Sequence, residues 1–135
     1  MATVAVDLVT PEKLFASTEA SLVEVPGEAG DFGVLPGHAP MISTIRPGVV
    51  TLHGDGKAAR ERYLVVGGMA EVTPERCTIL AEYMEVVTDI SAADANKRLD
   101  AARKAANDAI TDEEKRTAER ELKAAEALSL ALSAA

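Results

Sequence analysis

Residues 77–100, CTILAEYMEVVTDISAADANKRLD, change pattern halfway. At the start, Cys77, Ile79 and Ala81 recur every second position, the period of a half-buried strand. Beyond Asp89 neither glycine nor proline occurs again, alanine dominates, and charges fall at helical spacings. The chain therefore divides into a β part, residues 1–86, and a helical part, residues 87–135.

Upstream of the change the same alternation recurs at Val4, Val6 and Leu8, at Val23 and Val25, and at Tyr63 and Val65. These segments are punctuated by VPGEAGDFG, RPG, HGDG, GG and TPER, where glycine supplies positive φ and proline presets φ or ends pairing. TLHGDGKAARERYLVV reads as a hairpin with its tip at Gly54–Gly56. Many short strands with close turns predict a β-sandwich or flattened barrel over a parallel sheet. Gly67-Gly68, between YLVV and MAEV, reads as a sheet bulge or corner.

Downstream, Ser91 with Asp94 and Thr111 with Glu114 have the capping-box spacing, which predicts helices over about 91–109 and 112–133. Ala95, Leu99, Ala102 and Ala106 form one apolar stripe; Ala118, Leu122, Ala125, Leu128 and Leu132 form another. The short link between them allows an antiparallel α-helical hairpin, drawn close by its alanines. Asp94–Arg98, Asp100–Lys104 and Glu119–Lys123 are i,i+4 pairs expected on solvated faces. So alanine-rich a stripe buries little area, which predicts weak docking on the sandwich and a potentially mobile arm.

Composition narrows the function. The chain has 135 residues, 47% of them hydrophobic and 27% charged, as in soluble globular proteins. A net charge of −8 and 3% aromatic residues argue against nucleic acid, which needs a basic footprint and stacking surfaces, and against a bare lipid surface. Cys77 is the only cysteine, so neither an internal disulfide nor a thiolate metal cage can form. The N-terminus shows no signal or transit pattern and no apolar run spans a bilayer, which predicts a cytoplasmic protein.

The stretch Gly30–Pro40, GDFGVLPGHAP, concentrates turn residues, a carboxylate and one of the two histidines between predicted strands. It is either an active-site loop or a docking surface. A Ser/His/Asp site would need His38 beside Ser43 and Asp31, but no nucleophile motif surrounds them. His53, beside the hairpin tip, reads as exposed, and Cys77 as a small core residue. Gly67-Gly68 lacks the phosphate-loop pattern, and Glu113-Glu114 suit a helix N-terminus. A stand-alone ligand-binding sandwich, or a small hydrolase using His38, is the alternative to an interaction protein.

VEVPGEAGDFGVLPGHAPMISTIRPGVV, YLVVGGMAEV and CTILAEYMEVV, followed by the charged helical hairpin, together resemble the epsilon subunit family of bacterial F-type ATP synthases. The resemblance runs essentially end to end and is most specific from Gly27 to Gly48. It implies a non-catalytic rotor subunit of the central stalk, coupling proton flow through the c-ring to ATP synthesis. The complex lies peripherally on the cytoplasmic face of the inner membrane. The sandwich would dock on the gamma subunit and the c-ring, with transient contacts to the alpha and beta subunits. It places Asp31 toward the c-ring and the segment around His38 toward gamma. The implied interface is Asp31, Phe32, Leu35, Pro36, Gly37, His38, Ala39, Pro40 and Met41. No cofactor or metal is implied. Some members bind ATP through an Ile/Leu-Asp-x-x-Arg-Ala pattern. Here Ile90 and Ala95 match it, but Ser91 and Asp94 replace its Asp and Arg, so no nucleotide site is expected.

Overall fold

The structure, a computed structural model, describes residues 2–54 and 61–133. Its strands are β1 (Val4–Thr10), β2 (Lys13–Ala20), β3 (Leu22–Gly27), β4 (Gly30–Val34), β5 (Met41–Thr44), β6 (Gly48–His53), β7 (Glu61–Val72) and β8 (Arg76–Val86). A 3-10 turn at Val87–Asp89 leads to helices α1 (Ala92–Asp108) and α2 (Asp112–Ser133). The strands run in the order β2-β1-β8-β7-β6-β3-β4, with β5 beside β7, and fold into a sandwich. The pairings are antiparallel except β1 with β8, among the described residues. The expected β6–β7 hairpin forms, but most of its tip lies outside the described residues.

The sandwich arises because long strands change face at one corner. Tyr63 and Val65 point into the core at odd positions, whereas Ala70 and Val72 do so at even positions. β8 makes the same change, from Cys77, Ile79 and Ala81 to Met84. The β7–β8 register is identical on both sides, so Gly67-Gly68 is a corner and inserts no extra residue. Both glycines have positive φ, +69° and +133°. A Cβ on Gly68 would collide with the backbone of Leu80 and Ala81, so the second glycine is required by space as well as by φ. Opposite this corner, β5 and β6 meet β7 in one continuous register, broken only at residues 45–47.

Between the two halves lies a core of Val4, Val6, Leu8, Val23, Val25, Val50, Val65, Cys77, Ile79 and their neighbours, all from residues before Val87. Every strand position expected inward from the alternation is buried. Burial pushes the Cys77 thiol up to about 11, as befits an inert core residue. The sequence expectation missed β2, β4 and β5. β2 and β4 close the two ends of the strand order, where one side has no partner and polar residues replace the apolar alternation. GDFGVLPGHAP is thus a strand followed by a turn, not a loop throughout.

Both helix starts are capped as expected. Ser91 Oγ accepts from the Asp94 N–H at 3.1 Å, and Thr111 and Glu114 exchange reciprocal bonds, each at 3.1 Å. The hairpin is antiparallel and lies folded against the sandwich, α2 packing on β6 and β7 and α1 packing on α2. α2 carries a second buried face, because Ala124 joins Leu128, Leu64, Val87, Ile90 and Ala95 in a cluster between arm and sheet. That seat contains full-sized aliphatic side chains and is larger than the alanine stripe implied.

Two expected surface pairs form differently. Arg98 leaves Asp94 and binds Glu85 of β8 through both guanidinium nitrogens, at 2.8 and 2.9 Å. A bidentate fork on a partly buried carboxylate outcompetes an exposed single contact. Lys104 sits 3.8 Å from Asp108, where Asp100 was expected; Lys123 meets Glu119 at 3.2 Å as read from the sequence.

Candidate docking surface

The expected interface residues fall in two places. Asp31 and Phe32 lie on β4, and Leu35 to Pro40 form the turn that leads to Met41, the first residue of β5. Phe32 and Met41 pack partly against the core, so each offers only a fraction of its surface outward. Asp31 remains 75% exposed yet is bound by Arg46, whose other terminal nitrogen donates to the Gly27 carbonyl at 2.6 Å. This guanidinium fastens the β3–β4 turn to the break between β5 and β6, fixing the carboxylate's position.

The Leu35–His38 turn follows from its residues. Pro36 presets φ, Gly37 takes φ +85°, and the His38 N–H donates to the Leu35 carbonyl at 3.1 Å, the pattern of a type II turn. The Gly37 N–H donates to the Pro74 carbonyl at 2.8 Å, tying the turn to the end of the β7–β8 hairpin. Leu35, His38 and Pro40 are thereby presented on a braced backbone.

No hydrolytic triad is assembled. His38 Nδ1 lies 2.7 Å from the Ala39 carbonyl, Ser43 Oγ donates to the Thr44 carbonyl at 3.0 Å, and Asp31 is held by Arg46. The other histidine corrects the sequence expectation: His53 is half-buried, its Nε2 2.9 Å from Glu24 on the neighbouring strand. Among the described residues, no cluster of His, Cys, Asp or Glu has a metal-holding arrangement.

The sequence reading missed a larger feature beside this turn. Ile42, Met69, Leu80 and Leu14 are 68%, 42%, 38% and 57% exposed. The register places them in sequence across β5, β7, β8, β1 and β2: Ile42 pairs with Glu71 beside Met69, Met69 with Leu80, Leu80 with Val9, and Val9 with Leu14. An apolar band thus crosses the outer face of the sheet, which polar residues would normally occupy. The signal was in MISTI and CTILAE, where apolar residues also stand at the outward positions of the alternation.

Ile90 and Ala95, the matching residues of the degenerate nucleotide pattern, are buried in the cluster between arm and sheet, and Ser91 is the cap of α1. Asp94 contributes its N–H to that cap. The stretch is occupied by structural duties.

Residues 3–87 match the family model described as ATP synthase, delta/epsilon chain, beta-sandwich domain. An ATP synthase epsilon chain of Paramagnetospirillum magneticum is 45% identical over 126 residues, 93% of this chain and 94% of that protein. One from Rhodospirillum rubrum is 43% identical over 122 residues, 90% of each. The fold is similar to a chain in the Euglena gracilis mitochondrial ATP synthase, with TM-score 0.83 and 21% identity over 98% of this chain and 82% of that one. A chain in the Tetrahymena thermophila ATP synthase central stalk and c-ring has TM-score 0.64 and 15% identity over 96% of each. With the sandwich matched by the family model and nearly the whole length shared with curated relatives, the chain belongs to the ATP synthase epsilon-chain family.

Proposed function

We propose that this chain is a rotor subunit of the central stalk of a bacterial F-type ATP synthase, without a catalytic site of its own. It would bind gamma through the apolar band and the Leu35–Met41 segment, and face the c-ring with Asp31 and the β3–β4 turn. Through gamma it would help couple proton flow to ATP synthesis. Contacts with the alpha and beta subunits would be transient, made by the arm. No helix among the described residues is long and apolar enough to cross a membrane, so association with the cytoplasmic face of the inner membrane would run through the complex.

The observation that carries the reading is the band itself. Ile42, Met69, Leu80 and Leu14 are fixed on paired strands, so covering them costs little ordering entropy and removes apolar area from water. An interface needs such a rigid, desolvatable centre, with polar groups such as Asp31 at its rim giving register.

The test joins two variants. Ile42→Asp with Leu80→Lys should weaken binding to purified gamma by roughly 100-fold, on the scale of losing an interface hot spot. Circular dichroism should stay unchanged, since both side chains point away from the core. Asp31→Ala should keep gamma binding and lower proton-coupled ATP synthesis in the assembled enzyme. Undiminished gamma binding by the double variant would overturn the assignment of the band.

A further inference from the structure

The end of α2 is completed by the sandwich. A helix leaves its last four carbonyls without intrahelical partners, and a cation near them is favoured by the helix dipole. α2 has no basic residue in its last turn. Ser133 Oγ donates to the Leu130 carbonyl at 3.0 Å. The next carbonyl, Ala131, accepts from Arg62 Nη1 at 2.5 Å, and Arg62 belongs to β7. Arg62 shares the outward face of that strand with Leu64 and Val66, which lie in and against the cluster under the arm. The cation missing from the helix is therefore provided by the surface on which it lies.

We propose that Arg62 is the C-terminal cap of α2, provided by the sandwich of the same chain, so that seating of the arm and completion of its last turn form one equilibrium. While seated, α2 is helical to Ser133. When the arm lifts, the Ala131 carbonyl loses its charged donor and the turn from about Leu130 frays. Arg62 also acts as a positioning residue. Sliding α2 by one turn moves the carbonyl by about 5.4 Å, beyond hydrogen-bond reach.

Hydrogen exchange on the full chain tests this. Arg62→Met keeps the apolar stem and removes the donors. Exchange at residues 130–133 should rise roughly fivefold, the scale of one charge-assisted cap, while residues 113–121 stay within about twofold. Leu128→Ala loosens the seat without touching the cap. It should accelerate exchange of the last turn in the unmodified background and add little to Arg62→Met, because linked events are non-additive. Arg62→Lys, which retains charge and a donor, should recover part of the protection. Raising the salt to about 0.5 M, which shortens the screening length, should reproduce the effect in the unmodified chain, selectively at 130–133. Unchanged exchange at 130–133 in Arg62→Met, or multiplicative effects of the two substitutions, would refute the cap.

Discussion

Glu85 of β8 holds two partners through one carboxylate: Arg98 of α1 and the hydroxyl of Tyr83 on its own strand. The bond from Arg98, assisted by the Tyr83 hydroxyl and the guanidinium's charge, holds the carboxyl below its ordinary value of 4.5 against the opposing effect of burial. The partners answer in kind, the Arg98 value being raised chiefly by Glu85, with Asp94 also contributing, and the Tyr83 value by burial and then by Glu85. Because the folded value is depressed, the contribution is complete above the unfolded carboxyl value and is lost as pH falls through the folded one. Glu85→Gln should lower stability at pH 7 by about 1 kcal/mol, and the two stability curves should converge in acid. Urea denaturation across that range checks it, and a constant difference down to the acid limit would contradict the linkage. The corner glycines give a second expectation. Gly67→Ala meets the flexible ends of Glu82 and Arg120, which can move aside, but Gly68→Ala meets the backbone of Leu80 and Ala81. Gly68→Ala should therefore be the costlier, by at least about 2 kcal/mol more, measured as the difference in unfolding free energy.

Among the elements, the boundary after β8 is the testable one. The sandwich core draws only on residues before Val87, so we propose that residues 1–86 form a separable unit and 87–135 an arm. A fragment of residues 1–86 should unfold cooperatively in urea, with a midpoint below that of the full chain because Leu64 and Val66 lose their cover. A broad, non-cooperative transition would show that the arm is part of the fold. How far these elements were legible follows from their neighbours. Central strands such as β1 and β8 keep an apolar residue at each inward position and were legible from Val4, Val6, Leu8, Cys77, Ile79 and Ala81. The helix starts were legible because a cap is a local chemical event between residues three apart. β2 and β4 were not, because a strand end with one free side leaves little apolar pattern. The apolar band escaped notice because its members come from five strands and adjoin only through the register. Arg98 was misassigned for a related reason: its partner Glu85 is thirteen residues away, beyond the reach of an i,i+4 rule.

For the whole molecule, the charge of the arm decides what it can do when extended. α2 carries four basic residues, Lys115, Arg116, Arg120 and Lys123, against six acidic ones, Asp112, Glu113, Glu114, Glu119, Glu121 and Glu126. Extending the arm releases Arg120 from Glu82 of the sandwich, whereas Lys123 keeps Glu119 on its own helix, and acidic residues still outnumber basic ones on α2. Attraction to an acidic surface is correspondingly small, so we propose that this arm brakes ATP hydrolysis only weakly. Deleting residues 88–135 from the assembled enzyme should raise ATPase activity by less than about twofold; a rise of tenfold or more would contradict the charge argument. The corner at Gly67-Gly68 has a mechanical meaning as well. β7 and β8 continue through the corner from beneath the helices, at Leu64 and Glu85, into the apolar band itself, at Met69 and Leu80. A push delivered to the band travels to the arm's seat along two covalent, hydrogen-bonded beams, with no side-chain joint to absorb it. The beams hand over to the helices through the 3-10 turn at Val87–Asp89, with Val87 and Ile90 held in the cluster under the arm. A load on the band is therefore expected to reach the root of the arm through backbone, where Val87 and Ile90 pass it into the arm's seat.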